Sequence, residues 1–493
     1  MNKQVYGSGA IAPLQALQRR VTVRVGLFFD GTGNNRVNTR IGAACRAGMA
    51  RGKVEHSRAC AGRHARPDSS YSNELSNIAW LFELYRDQKT ACQHNGGWQV
   101  SVPLYISGVG THSGGRDSLW PGLSFGRGHT GVLAKVERAL VKLEAALKAF
   151  ALDNPDCVIE ALELDVFGFS RGAASARHLV NEVLKQAKGD LQTLLANREL
   201  SWSTDFAWER GSVRVKVVGL FDTVAAIGGW RDLGNVRDAN NRRVNLYLPP
   251  DCAEHVLHLV ARDESRRNFA LNSVAPVWPR EIVLPGAHSD IGGGYPAHML
   301  EEVLITRPRT SVIGRDVAFE DCTAWQQATD ELHAMDRDEW IDPLDCGAWL
   351  GVEGSQVSRS GCGTGFGSRL VMAAVCLRRP VWGDLARVHL RIMHALACDE
   401  GVPLEPLENI EALALVPPLQ DIAQRLLGQA RGDTQGLTPG QERLLRWHYI
   451  HHSAHWSPII GTLGSLGKGL FVHAPQPGGR TVHPNVALPG YPH

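Results

Sequence analysis

Between Val21 and Gly286 the chain switches repeatedly between short apolar runs and longer stretches with apolar residues every three or four positions. The runs are VTVRVGLFFD (21–30), VPLYISG (102–108), VIEALELDVFG (158–168), VRVKVVGLFD (213–222) and REIVLPGAH (280–288). Several are rich in β-branched residues and continuously apolar at one end, the pattern of a strand covered on both faces. NELSNIAWLFELYRD (73–87) and VLAKVERALVKLEAALKAF (132–150) have the helical period, and the second stops at Asp153-Asn154-Pro155-Asp156. Strands alternating with helices imply an α/β protein, its mostly parallel sheet joined by right-handed crossovers.

Two stretches break the rhythm. Residues 36–66 carry eight Lys/Arg and one acid, Glu55, among many Gly and Ala. The simple expectation is a solvated basic insertion loop over about 36–70; the sharper one is a contact for anionic lipid headgroups. Beyond about Ala297 the strand–helix alternation is lost. The expected organisation is a catalytic domain over 1–300 and a helix- and loop-rich module over 301–493, a candidate membrane-contact or lid region. Trp325, Trp340, Trp349, Trp382, Trp447 and Trp456 fall in that module.

Composition narrows the function. The 493 residues hold 52 Lys+Arg against 50 Asp+Glu, a net charge of +2. No global field is available to hold a polyanion, so nucleic acid is not an expected partner. No run approaches the ~18 apolar residues of a membrane-spanning helix. Gly, Pro and Gln interrupt the first twenty residues, so synthesis in the cytosol without a standard signal peptide is expected. The ten cysteines form no CxxC pair, and reduced structural thiols are expected rather than a disulfide framework or zinc ribbon.

The strongest chemical signal is Gly168-Phe169-Ser170-Arg171-Gly172, directly after an apolar strand and before a predicted helix, AASARHLVNEVL. This is G-x-S-x-G in a strand–turn–helix setting: the turn lifts the Ser170 hydroxyl above the strand ends, and Gly168 and Gly172 let neighbouring backbone pass. A serine hydroxyl needs a base and an orienting carboxylate, in chain order Ser, acid, His at successive strand ends. The next run ends on Asp222 and the one after on His288-Ser289-Asp290-Ile291-Gly292-Gly293-Gly294. His288 is the expected base and Asp222 the expected acid. Asp290, two residues from His288, is the rival acid, with a helix cap or loop brace as its other role. The three glycines are expected to let a substrate approach backbone. The oxyanion donors are expected to be the N–H of Arg171 and N–H groups of Asp30, Gly31 and Thr32 after the first strand. The Asp30 carboxylate is expected to tie its own loop.

Other motifs are weaker. Gly126–Gly131 has a formal G-x-G-x-x-G, but no strand precedes it. His451, His452 and His455 lack an accompanying acid or thiol in sequence, so a polar packing cluster is expected and no metal or other cofactor.

In order, FFDGTGNN, YISGVGT (105–111), GFSRGAASAR (168–177), GLFDTVAAIG (219–228), RDESRRNFAL (262–271) and PGAHSDIGGGY (285–295) resemble family 1 of the type VI secretion lipase effectors. RWHYIHHSAHW (446–456) is similar to a segment near the end of such proteins. The resemblance implies an α/β-hydrolase core with helical modules that meet a membrane, and an antibacterial phospholipase loaded on a contractile injection apparatus. By motif, Ser170 becomes nucleophile, Asp222 acid and His288 base. It also implies delivery from the producer's cytoplasm to a target cell's periplasm or membrane, a spike or adaptor protein as loading partner and a cognate immunity protein. The expected function is therefore a serine lipase or phospholipase A on membrane phospholipid. A serine esterase for a soluble substrate and a non-enzymatic delivery or binding module are the alternatives.

Overall fold

The computed structural model describes residues 18–50, 69–94, 96–114, 117, 131–196, 199–208, 211–225, 244–314, 316–359, 368–408, 410–458 and 471–487. Residues 51–68 of the basic stretch and Gly126–Thr130 lie outside them.

β1 (Arg19–Phe29), β2 (Gln88–His94), β3 (Gly97–Ile106), β4 (Cys157–Phe169), β5 (Val213–Phe221), β6 (His255–Ala261) and β8 (Glu281–Leu284) form one sheet. The two-residue β7 (Leu271–Asn272) lies outside it. The order is β2-β3-β1-β4-β5-β6-β8; β2 runs antiparallel to β3, and the remaining pairings are parallel. The chain first builds outward from β1 to β3, then returns to lay β4 on the other side of β1. That reversal makes a switch point between β1 and β4, where strand carboxyl ends leave a crevice.

The period of two sends alternate side chains to opposite faces. Val21, Val23, Val25, Leu27 and Phe29 of β1 enter one core with the helices Val132–Asp153 and Arg171–Leu184. Phe28, Phe167, Val217 and Leu257 enter the other. On that second face Arg24 forks onto Asp165 at 2.7 and 3.0 Å, and the Tyr85 hydroxyl donates to the same carboxylate. A buried charge there is tolerated because its partners are supplied across strands.

Four sequence expectations need correction. The stretch at 36–70 is not simply a loop, because Arg36–Ala50 is a helix. Its Arg36 and Arg40 both pair with Glu83. Cys45 is disulfide-bonded, whereas Cys92, Cys157, Cys252, Cys322, Cys346, Cys376 and Cys398 are free. β6 stands between the strands expected to be consecutive; its HVLHLVA is interrupted by His258, which is buried and paired rather than exposed.

The fourth correction concerns 301–493. It contains an antiparallel sheet in which β12 (Ser368–Trp382) pairs with β9 (His298–Leu304), β10 (Arg309–Gly314) and β11 (Trp349–Arg359). The helices Leu385–Asp399, Pro417–Ala430 and Pro439–His448 of this segment share the core on the second face of the main sheet. Within 1–300 the described helices that reach that face are the short Asn77–Leu84 and His288–Gly292, and they are too small to shield six strands from water. None of the described helices is long and apolar enough to cross a membrane.

Leu396 is fully buried against this second face. Leu396→Ala is expected to cost about 2–5 kcal/mol and to lower a single cooperative unfolding transition. Two separate transitions, with only one of them shifted, would show that the C-terminal helices fold apart from the sheet.

Candidate active site

At the carboxyl end of β4 the chain turns sharply into the helix Arg171–Leu184. Ser170 sits on this turn at φ 57° and ψ −125°, a left-handed conformation that a non-glycine residue adopts only at a cost. Its N–H donates to Phe221 O at 3.1 Å, which fixes the turn against β5. The neighbouring glycine is required by close approach: a Cβ on Gly172 would lie 2.2 Å from Phe29 O and 2.4 Å from Asp30 O. The elbow is thus pressed directly on the end of β1.

One strand along, Asp222 follows β5 at φ 42°, a second strained non-glycine residue. Its N–H donates to Leu259 O. The next residue is held by a hydrogen-bonded trio: Thr223 N–H donates to His258 Nε2 at 3.1 Å, so Nδ1 carries the proton that meets Glu281 Oε2 at 2.9 Å. Burial pushes the His258 pKa down, which keeps the ring in that neutral tautomer. His288 opens a short helix after β8, and its Nδ1 lies 2.5 Å from Asp222 Oδ2. The imidazole is wedged between Phe169 and Phe269, with ring centroids 4.7 and 4.8 Å away.

The structure therefore joins Asp222 to His288 and places Ser170 on the turn beside them through Phe169. The Ser170 hydroxyl makes no hydrogen bond to His288 or to any other described residue. Catalytic contacts are often long before substrate arrives. All three are buried, with exposures of 5% for Ser170, 0% for Asp222 and 4% for His288.

Burial alone would raise the Asp222 carboxyl, but the Arg480 guanidinium and the His288 ring outweigh it and hold the group well below the usual carboxylate range. Burial lowers His288, only partly opposed by Asp222. The ring is thus poised as a neutral acceptor at neutral pH. Arg480 was not singled out by sequence, because GGRTVHP in the tail has no motif or period. Only the fold brings its guanidinium to both oxygens of Asp222, at 2.7 and 2.8 Å.

Asp290 does not meet the base through its carboxylate. Its Oδ2 accepts from the N–H groups of Ala287 and His451, and Oδ1 lies 2.6 Å from His451 Nδ1. It braces the start of the His288 helix against the C-terminal segment. His451 thus has an acidic neighbour that its own sequence context did not disclose. His452 does as well, its N–H donating to Glu301. Among the described residues no group of His, Cys, Asp and Glu could hold a metal ion.

Close packing requires glycine after His288. A Cβ on Gly292 would meet the Phe169 ring at 2.1 Å, and Gly293, at φ 80°, bridges to Ser76 backbone.

The oxyanion donors also need revision. Asp30 N–H donates to Ile106 O at 2.9 Å, and Gly31 N–H to Asp30 Oδ1 at 2.7 Å, so both are committed. Among the described residues, Thr32 is the member of the trio whose N–H has no hydrogen-bond acceptor. Its hydroxyl accepts from Arg171 Nε at 2.6 Å, which ties the first loop to the start of the elbow helix. Burial pulls the Arg171 guanidinium down to about 10, leaving it cationic at neutral pH. The Asp30 carboxylate does bind its loop: it accepts from Ser76 and Tyr105, and burial raises it to about 6.

Together the parallel sheet, its switch point and the strained serine turn facing a buried His–Asp pair define an α/β protein with the architecture of an ester-cleaving enzyme. The family model described as the Tle1-like phospholipase effector catalytic domain of the type VI secretion system matches residues 184–311, which include Asp222 and His288. The solved structure of the Tle1 effector bound to the VgrG spike from the type VI secretion system is 30% identical, covers 94% of both chains and superposes with a TM-score of 0.69. The chain belongs to the Tle1-like phospholipase effectors of type VI secretion. A further solved structure, an uncharacterized protein from Pseudomonas aeruginosa, is 18% identical over 85% of this chain and 51% of that one, at TM-score 0.35. No curated protein matches.

Gly172→Ala is expected to cost about 1–3 kcal/mol, because the added methyl must part the elbow from β1. Turnover should fall with it, since Arg171 and the loop after β1, where the oxyanion donors are expected, would move apart. Unchanged unfolding and turnover would show that the contact yields freely.

Proposed function

We propose that this effector is a serine phospholipase A that cleaves acyl esters of membrane phospholipid. The observation that carries the reading is the Asp222–His288 pair, 2.5 Å apart and buried, beside a serine on a strained strand–helix turn. Ser170 Oγ attacks the acyl carbonyl carbon while His288 Nε2 takes its proton. Asp222 holds the Nδ1 proton, fixing the tautomer and steadying the imidazolium that forms. N–H groups of Arg171 and Thr32 receive the oxyanion, with the Arg171 charge close behind. The tetrahedral intermediate expels the lysophospholipid alkoxide, which His288 protonates. Water, activated by the same histidine, then releases the fatty acid and regenerates Ser170. This chemistry draws on side chains and backbone alone.

The similar Tle1 structure is bound to a VgrG spike, which supports a spike protein as the loading partner here. The proposal extends to action on a competing bacterium's membrane from its periplasm, with a cognate immunity protein guarding the producer.

Acyl release from phospholipid vesicles labelled separately at sn-1 and sn-2 tests the reading. Wild type is expected to release label and Ser170→Ala none above background; appreciable release by that variant sinks the nucleophile. Faster cleavage of soluble esters than of vesicles would favour a soluble substrate instead.

The acid is decided by a pair of variants. Asp222→Asn should lose roughly 10³–10⁴-fold in kcat, whereas Asp290→Asn should act mainly on stability. The reverse order of kcat losses would exchange their roles. Because burial holds His288 below the ordinary histidine value, its neutral, active form persists as pH falls. The acidic limb of kcat/KM is accordingly expected below about pH 6.5, and a limb above that value would contradict the assignment.

A further inference from the structure

We propose that Arg480, carried on the C-terminal segment 471–487, is a positioning residue for the acid–base pair: its guanidinium grips both oxygens of Asp222 and fixes how that carboxylate faces His288. The inference rests on the serine-phospholipase reading and extends it to a residue outside every catalytic motif.

Nη1 reaches Oδ1 at 2.7 Å and Nη2 reaches Oδ2 at 2.8 Å, the parallel fork that matches guanidinium to carboxylate. Oδ2 is also the oxygen that meets His288, so one atom is shared between the cation and the base. Nε donates to Phe269 O at 2.7 Å, and Phe269 is itself one wall of the His288 slot. Arg480 thus fixes the acid and the backbone of that wall with one side chain.

Its carrier is anchored on both sides. Gln476 N–H donates to Ser265 O, and Arg267 N–H to Ala474 O. β13 (Val482–His483) pairs in parallel with β7, and Asn485 bonds to Leu248 and Arg177. The segment is a strap over the chain that links the acid to the base. Without Arg480, Asp222 would keep only the Ala261 N–H and His288 as donors. A buried carboxylate with unfilled lone pairs loses its fixed orientation.

A second consequence is electrostatic. His288 faces the charges of Asp222, Arg266 and Glu264, while Asp290 on its own helix is engaged by His451. Arg480 adds a cation beside this pair, and a nearby cation disfavours imidazolium. Removing it should make His288 easier to protonate.

The experiment uses full-length wild type, Arg480→Met and Arg480→Lys, with vesicle hydrolysis across acidic to alkaline pH and an NMR titration of the His288 ring. Arg480→Met is expected to lower kcat up to about a hundredfold with KM little changed, and to raise the acidic limb and the His288 titration by about one unit. Arg480→Lys keeps the charge without the fork, so its limb should stay near wild type while kcat falls between the two. A folded Arg480→Met with wild-type limb and titration overturns the proposal. If Arg480→Met cannot be recovered folded, Arg480→Lys with wild-type kcat overturns it. Ser170→Ala is run in parallel: activity surviving there removes the serine reading, whereas the ring titration tests Arg480 independently.

Discussion

A carboxylate with no exposure to water must be surrounded by donors, and the arrangement of this enzyme's active end follows from satisfying that demand at Asp222. Four donors converge on it: the His288 ring, the Ala261 N–H and both terminal nitrogens of Arg480. They come from β6, from the helix after β8 and from the far tail. Meeting the carboxylate's needs therefore gathers elements that are distant in sequence. The same cluster holds the acid ionised against its own burial. An ionised acid next to a neutral imidazole is the state in which the base can accept a proton.

Around that centre the backbone is held in conformations it would not choose alone. Ser170 and Asp222 both have positive φ without being glycine. Such strain persists only where the surroundings over-determine it. At Ser170 the constraint is the elbow's close contact with the end of β1 through Gly172. At Asp222 it is the neighbouring Thr223, fastened by His258 and Glu281. Rigid sheet ends carry both residues, which suits a reaction whose partners must be held to within fractions of an ångström.

Much of this was legible in the chain. Four of the five apolar runs became long strands, and the fifth shortened to four residues ahead of its histidine. The G-x-S-x-G stretch fell on a strand–turn–helix junction, and the segments ending on Asp222 and His288 met in space. Other features were illegible for identifiable reasons. HVLHLVA hides a central strand because a histidine normally signals exposure, and His258 is instead paired inside. The strands β9 to β12 follow no strand–helix rhythm, since β9, β10 and β11 all pair antiparallel with the later β12, and antiparallel pairing does not require a crossover helix for each strand. N–H availability in the first loop depended on where Ile106 and the Asp30 carboxylate came to lie.

Local pattern alone determined the class of fold, the turn that carries Ser170 and the strand ends from which Asp222 and His288 project. These are consequences of periodicity and of backbone geometry over a few residues, and both are written in contiguous sequence. Tertiary structure decided which helices shelter the second face of the sheet, which carboxylate meets the histidine, and which cation steadies that carboxylate. Arg480 lies 258 positions from Asp222, and His451 lies 161 from Asp290. No local preference encodes contacts across such distances; they exist because a buried charge must be paired and only the assembled core determines what stands within reach.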